Sequence, residues 1–200
     1  MTATRAALGF KLHTGWAALV VAAKSRGHIE VLLRRRIELL PPDESVPRFV
    51  YHQAAELAPA ESAKLVKRAA RVAQATATAA LAGILEELRS GGVSIDGAGL
   101  ATGSTALPSD LAAILAAHTL IHAAEGVLFQ DAVAAACEAR GVNVTRVRER
   151  DLWSKLGNDV RAEVDGLRGL IGPPWGADQK AATGAALVAL GTGQPAARKA

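Results

Sequence analysis

The stretch "RAALGFKLHTGWAALVVAAKSRGHIEVLLRRRIELL" (Arg5–Leu40) limits the fold more than any other part of the chain. Three apolar runs are separated by two turns too short to hold a helix. His13, Thr14 and Gly15 make the first turn, where Gly15 suits a backbone of positive φ. "KSRGH" makes the second and leads into "HIEVLLRRRIELL". In that third run Ile29, Val31 and Leu33 alternate with Glu30 and Leu32, so one face is expected to be buried. Runs joined so tightly pair antiparallel, and a three-stranded meander is expected.

The rest of the chain alternates helical and strand patterns. "PPDESVPRFVYHQ" is a proline-rich connection. Leu65, Ala69, Val72, Ala80, Ile84 and Leu88 recur at helical spacing, interrupted by Thr76, and predict a helix from about Pro59 to Arg89 that stops at "SGG". "VSIDGAGLATG" reads as a short strand. "LPSD" opens a second helical region with Ser109 as its N-cap, running to Arg140 with a break near Gly126. "VNVTRVR" alternates as a strand. Asp151–Ile171 is helical, "GPPWGADQK" is a rigid turn, and "AATGAALVAL" is a last small-residue helix. The order β-β-β-α-β-α-β-α-α defines an α/β fold, a five-stranded mixed sheet flanked by helices.

The 200 residues are 50% apolar and 21% charged, a globular composition expected to form one domain over 1–200. The single Cys137 rules out an internal disulfide and a cysteine metal cluster, and reads as a small buried hydrophobe. The start lacks the charged and apolar segments of an export signal, and no run reaches the roughly 18 uninterrupted apolar residues of a membrane span. A soluble, cytoplasmic protein with no membrane partner is expected. The net charge is +4, with eight basic side chains against four acidic ones in residues 1–50. Nucleic-acid binders commonly show a denser basic field.

Three stretches carry a family resemblance. "LGFKLHTGWAALVV" resembles an opening strand-turn-strand, "FQDAVAAACEARGVNVTRVRERDL" a central helix leading through glycine into a strand, and "GADQKAATGAALVAL" a last helix headed by an acid. Together with the element order they resemble the ribonuclease H-like superfamily, most of all the RuvC-type Holliday-junction resolvases and more distantly the actin-like ATPases. The resemblance implies a ribonuclease H-like fold. It also implies a two-metal nuclease centre, in which carboxylates from the first strand, the fourth strand and the last helix hold two Mg²⁺ ions about 4 Å apart.

Residue by residue, the chain departs from that centre. Lys11 stands near the first-strand acid, between Phe10 and Leu12, with His13 beyond. The fourth strand has Asp96 at its start and no acid in "GAGLATGS". Asp178, heading the last helix, sits where a family ligand belongs. An ammonium group repels Mg²⁺, so cleavage by this route is not expected. Two roles suit Lys11: a point charge for phosphate beside the glycine turn, or a strand lysine whose tip reaches solvent.

"HTLIHAAEGVLF" is the most specific local feature. His118, His122 and Glu125 fall at i, i+4 and i+7, on one helical face that otherwise carries Leu111, Ile114, Leu115, Phe129 and Val133. Polar groups in such a stripe need partners, because an unpaired buried one costs roughly 1–3 kcal/mol. Three arrangements satisfy them. His118, His122 and Glu125 can ligate a metal such as Zn²⁺. A Glu–His hydrogen bond can position an imidazole as a general base. A structural network can tie them to backbone or to Arg146, Arg148 or Arg150. No "HExxH" is present, residue 119 being Thr. On the implied topology, His118, His122 and Glu125 are expected to share one cleft with Lys11 and Asp178.

Other residues admit two roles each. Arg34–Arg36, and the helical face Lys64, Lys67, Arg68 and Arg71, can meet phosphates or stand as solvated charge. Thr102–Ser104 can seat an anion on backbone N–H groups, and "RVRERDL" marks the end of a strand where ligands often bind. The leading expectation is a RuvC-like fold without the two-metal site, serving as a binding or scaffold module for nucleic acid or a phosphorylated ligand through Lys11, His13 and Ser104, with a homodimer as one form. The alternatives are an enzyme of altered chemistry built on His118, His122, Glu125 and Asp178, and a residual metal-dependent nuclease. The sequence leaves any cofactor open.

Overall fold

The computed structural model describes residues 3–43 and 45–192. The meander forms as expected: β1 (Thr4–His13), β2 (Trp16–Ser25) and β3 (His28–Glu38) pair antiparallel in sequence. Gly15 takes φ 82° in the first turn, and Arg26 and Gly27 both take positive φ in the second. Helix α1 (Val50–Ala54) follows, then the long α2 (Pro59–Ser90). β4 (Val93–Thr102) joins β1 in parallel, and β5 (Val144–Arg148) joins β4 in parallel. The sheet order is β3-β2-β1-β4-β5.

Between β4 and β5 lie α3 (Leu111–Leu115) and α4 (His118–Glu138). A single 3-10 turn (Glu149–Asp151) follows β5, then α5 (Leu152–Leu156), α6 (Asn158–Gly166), α7 (Arg168–Ile171) and α8 (Ala177–Thr192).

Strand alternation sends side chains to two separate cores. Ala6, Leu8 and Phe10 of β1, with Leu19 and Val21 of β2, pack under α2 and α4. Ala7 of β1, with Val20 and Ala22, packs under α8 together with Trp175 and Val164. Trp175 is buried and its indole N–H donates to the Val164 carbonyl at 2.8 Å, which fixes the turn before α8. Small residues set the depth of α8. A Cβ on Gly9 would lie 1.9 Å from the Ala182 carbonyl oxygen, and one on Gly99 would lie 1.9 Å from that of Ala185. Neighbouring glycines of β1 and β4, paired across the ladder, therefore let the helix backbone touch the sheet.

Several local expectations are corrected. Leu33 pairs with Val21 but Val31 pairs with Ala22, so a bulge at Leu32 flips β3. Ile29 and Val31 consequently join the α8 core while Leu33 packs on the opposite one. The buried line of α2 runs through Ala69, Ala73, Ala77, Leu81, Ile84 and Leu88, with Val72 and Ala80 beside it. Asp110, not Ser109, caps α3, accepting from the backbone N–H groups of Ala112 and Ala113. The break in the second helical region falls at Ala116–Ala117 instead of Gly126, and the expected helix over Asp151–Ile171 is divided at Gly157 (φ 90°) and Leu167.

Helix α4 is the one described helix long and apolar enough, by length and composition, to cross a membrane. Its Leu128, Phe129, Ala132, Val133, Ala136 and Cys137 are buried against the sheet and α2, which accounts for its apolar character. Burial, with Glu138 adding to it, pushes the Cys137 thiol up to about 12.

Candidate functional site at the strand ends

In a sheet with parallel strands, ligands collect beyond the carboxyl ends, where loops converge. Here β1, β4 and β5 point the same way, and beyond their ends Lys11 meets Glu149 and His13 meets Asp178. Lys11 is paired with Ala101 of β4, and its side chain leaves the sheet on the α8 side, as the alternation with buried Phe10 requires. Its Nζ donates to Glu149 Oε2 at 2.5 Å, just past the end of β5. The lysine is largely shielded, with 21% of its side chain exposed, so it is not a free solvent-facing tip.

His13 ends β1. Its Nε2 lies 3.0 Å from Asp178 Oδ1 at the head of α8. The same nitrogen is buried and lacks an aligned hydrogen-bond partner, so the contact is electrostatic proximity without a well-directed bond. The imidazole stacks on Trp16 at 4.2 Å, and the Arg36 guanidinium sits 3.9 Å from the Trp16 ring. Thr102, Gly103, Ser104, Arg148, Arg150 and Glu149, the partner of Lys11, line a depression of about 400 Å³. Ser104 is exposed there, and Thr102 Oγ1 donates to the Val147 carbonyl. Arg148 and Arg150 both face Asp151, at 2.5 and 3.7 Å.

Asp96 does not approach this cleft. It is the extra residue of a bulge at the start of β4, and it pairs with Arg5 at 2.7 Å.

His118, His122 and Glu125 lie elsewhere. Helix α4 packs on the face opposite α8, so the sheet separates them from Lys11 and Asp178, and the expected common cleft does not form. Nor do the three act as one unit. Glu125 is buried and points to the start of α1, where it accepts from the backbone N–H groups of Val50 and Tyr51 at 3.1 and 2.8 Å. Phe49 offers no side-chain cap to that helix, so Glu125 supplies the missing negative group. Its Oε1 also lies 3.2 Å from His52 Nδ1. Arg146, Arg148 and Arg150 pair with Asp131 or Asp151 and do not join it.

His118 and His122 face outward instead, their Nε2 atoms 2.9 Å apart, and His52 completes the group. Sequence reasoning missed His52 because the connection holding it has no periodicity. Burial, with Glu125 and Asp131 nearby, raises the pKa of the adjacent Tyr51.

The basic runs are engaged locally. Arg34 donates to the carbonyls of Ile171, Gly172 and Pro174, and Arg35 pairs with Glu87. Lys67 and Arg71 of α2 are exposed.

No protein-family model and no curated protein matches this sequence. Among solved structures the chain is similar to RuvC of Thermus thermophilus. The complex of that RuvC with a Holliday junction substrate aligns with TM-score 0.54 and 16% identity, over 92% of this chain and 90% of that one. A second Thermus thermophilus RuvC structure aligns with TM-score 0.53 and 14% identity, over 91% of each chain. The chain has the ribonuclease H-like fold in its RuvC-like form.

Proposed function

We propose that this chain is a nucleic-acid-binding module of RuvC-like fold, in which the strand-end cleft holds phosphate through Lys11 and does not carry out two-metal cleavage. The observation that carries the reading is the position of the Lys11 ammonium on β1, where the resemblance calls for an acid. The residues there do not fit a pair of magnesium ions. Magnesium wants hard oxygen ligands and open access to them. Of the acids present, Glu149 is bound to Lys11, Asp178 faces the His13 imidazole, and Asp151 is paired with Arg148 and Arg150.

The same features suit a polyanion. Lys11 offers a largely shielded point charge, and its partner Glu149 lines an open depression with Arg148, Arg150 and the Thr102–Ser104 loop. Glu149 is the group that Lys11 binds, so a phosphate oxygen would take its place. That a RuvC structure of this fold was solved on a Holliday junction makes branched DNA the first ligand to test.

The test is fluorescence anisotropy with a labelled four-way junction and a matched duplex. Binding is expected at low salt, weakening steeply between about 50 and 200 mM, and Lys11→Gln should weaken it. No binding at low salt overturns the proposal. So does Mg²⁺-dependent cleavage of the junction that disappears in Asp178→Ala.

A further inference from the structure

On the face of the sheet away from that cleft, three imidazoles converge at a largely exposed surface. His118 and His122 are exposed and His52 is half-buried. One nitrogen from each lies within 4.8 Å of the other two. The rings stand edge to face, with centroids 4.4 to 5.6 Å apart. We propose that His52, His118 and His122 form a three-imidazole site for a divalent transition metal, zinc fitting best, with Glu125 as the group that positions His52.

Tetrahedral zinc holds imidazole nitrogens at about 2.0–2.1 Å, which sets the ligand atoms about 3.4 Å from one another. The nitrogens, now up to 4.8 Å apart, would close to that spacing chiefly by rotation of the exposed His118 and His122. His118 and His122 are one turn apart on α4, so a single helix presents both. His52 arrives from α1, and its ring is held from behind. Glu125 engages Nδ1 and is itself anchored by the backbone of α1, leaving Nε2 of His52 for the ion. A carboxylate behind a ligating histidine fixes its tautomer and raises its basicity. This arrangement revises the set read from spacing, because Glu125 stands behind the ligands and His52 takes its place among them.

The donor set also selects the ion. With nitrogen donors and no carboxylate among them, the site disfavours magnesium and calcium. Three protein ligands leave a fourth position for water or an exchangeable anion. Because the site lies across the sheet from Lys11, it stands or falls independently of the nucleic-acid proposal.

The experiment uses the full chain without an affinity tag. Calorimetric titration with Zn²⁺ is expected to give one ion per chain, and Co²⁺ should give the intense visible bands of a four-coordinate complex. His118→Ala and His122→Ala, both exposed and so compatible with folding by circular dichroism, should each abolish the one-to-one isotherm. Glu125→Gln should weaken zinc about 10- to 100-fold. The double variant His13→Ala, His28→Ala should bind as the parent does. No saturable zinc binding, binding that survives His118→Ala and His122→Ala, or only the weak bands of hydrated Co²⁺ would each overturn the site.

Discussion

Lys11 and Glu149, 138 residues apart in the chain, meet at 2.5 Å beyond the ends of β1 and β5. On the proposed function, Glu149 stands where a phosphate oxygen of the ligand would sit. Glu149→Gln removes the competitor and should tighten junction binding several-fold, while Lys11→Gln should loosen it. Anisotropy titrations at one fixed salt concentration read both. Loss of the pair itself should change stability by no more than about 1 kcal/mol, since Glu149 is substantially exposed.

Glu125 ties α4 to the first turn of α1. Glu125→Ala leaves backbone donors of Val50 and Tyr51 unsatisfied next to the core, and a destabilisation of about 1–3 kcal/mol is expected in urea unfolding. Glu125→Gln keeps one acceptor oxygen and should lose less. A neutral result for the alanine variant would mean that α1 is held by Val50 and Ala54 packing alone.

Gly9 and Gly99 should each reject alanine. The added methyl would overlap backbone of α8, which has no flexible tip to turn aside. Overpacking commonly costs about 1–3 kcal/mol, and a clash with backbone belongs at or above the upper end. Thermal unfolding of Gly9→Ala and Gly99→Ala against Gly83→Ala, whose position on α2 is open, makes the comparison.

Cys137 offers a pH test. Burial raises its folded value to about 12, while an unfolded thiol ionises from about pH 8.5–9. The neutral thiol therefore contributes fully below the unfolded value, and that contribution is lost as pH rises from there towards 12. Stability of the parent should fall with pH more steeply than that of Cys137→Ala above about pH 9, by up to ~1.4 kcal/mol per unit. Chemical unfolding at pH 8, 9 and 10 measures the difference.

The meander, the five-stranded sheet and the long helix α2 were legible because each rests on local periodicity and short turns, whereas the short helix α1 and the breaks at Ala116–Ala117 and Gly157 were not. The β3 bulge was not, since Leu32 and Leu33 are both apolar and nothing in the run marks where the alternation flips. For the strand ends, position in the element order sufficed to single out Lys11, His13, Ser104 and Asp178. Their partners were harder. Glu149 reaches Lys11 only through the parallel pairing of β1, β4 and β5. His52 sits in a five-residue helix between prolines, too short for periodicity to register, and its meeting with His118 and His122 is wholly tertiary.

Because α8 rests backbone to backbone on two glycines at Ala182 and Ala185, the height of the helix over the sheet is set by main chain and not by the side chains it carries. A lineage could then exchange the groups at the tips of β1 and α8 without disturbing the frame that displays them. Replacing a charge there alters what the rim attracts while the architecture stays indifferent to the swap.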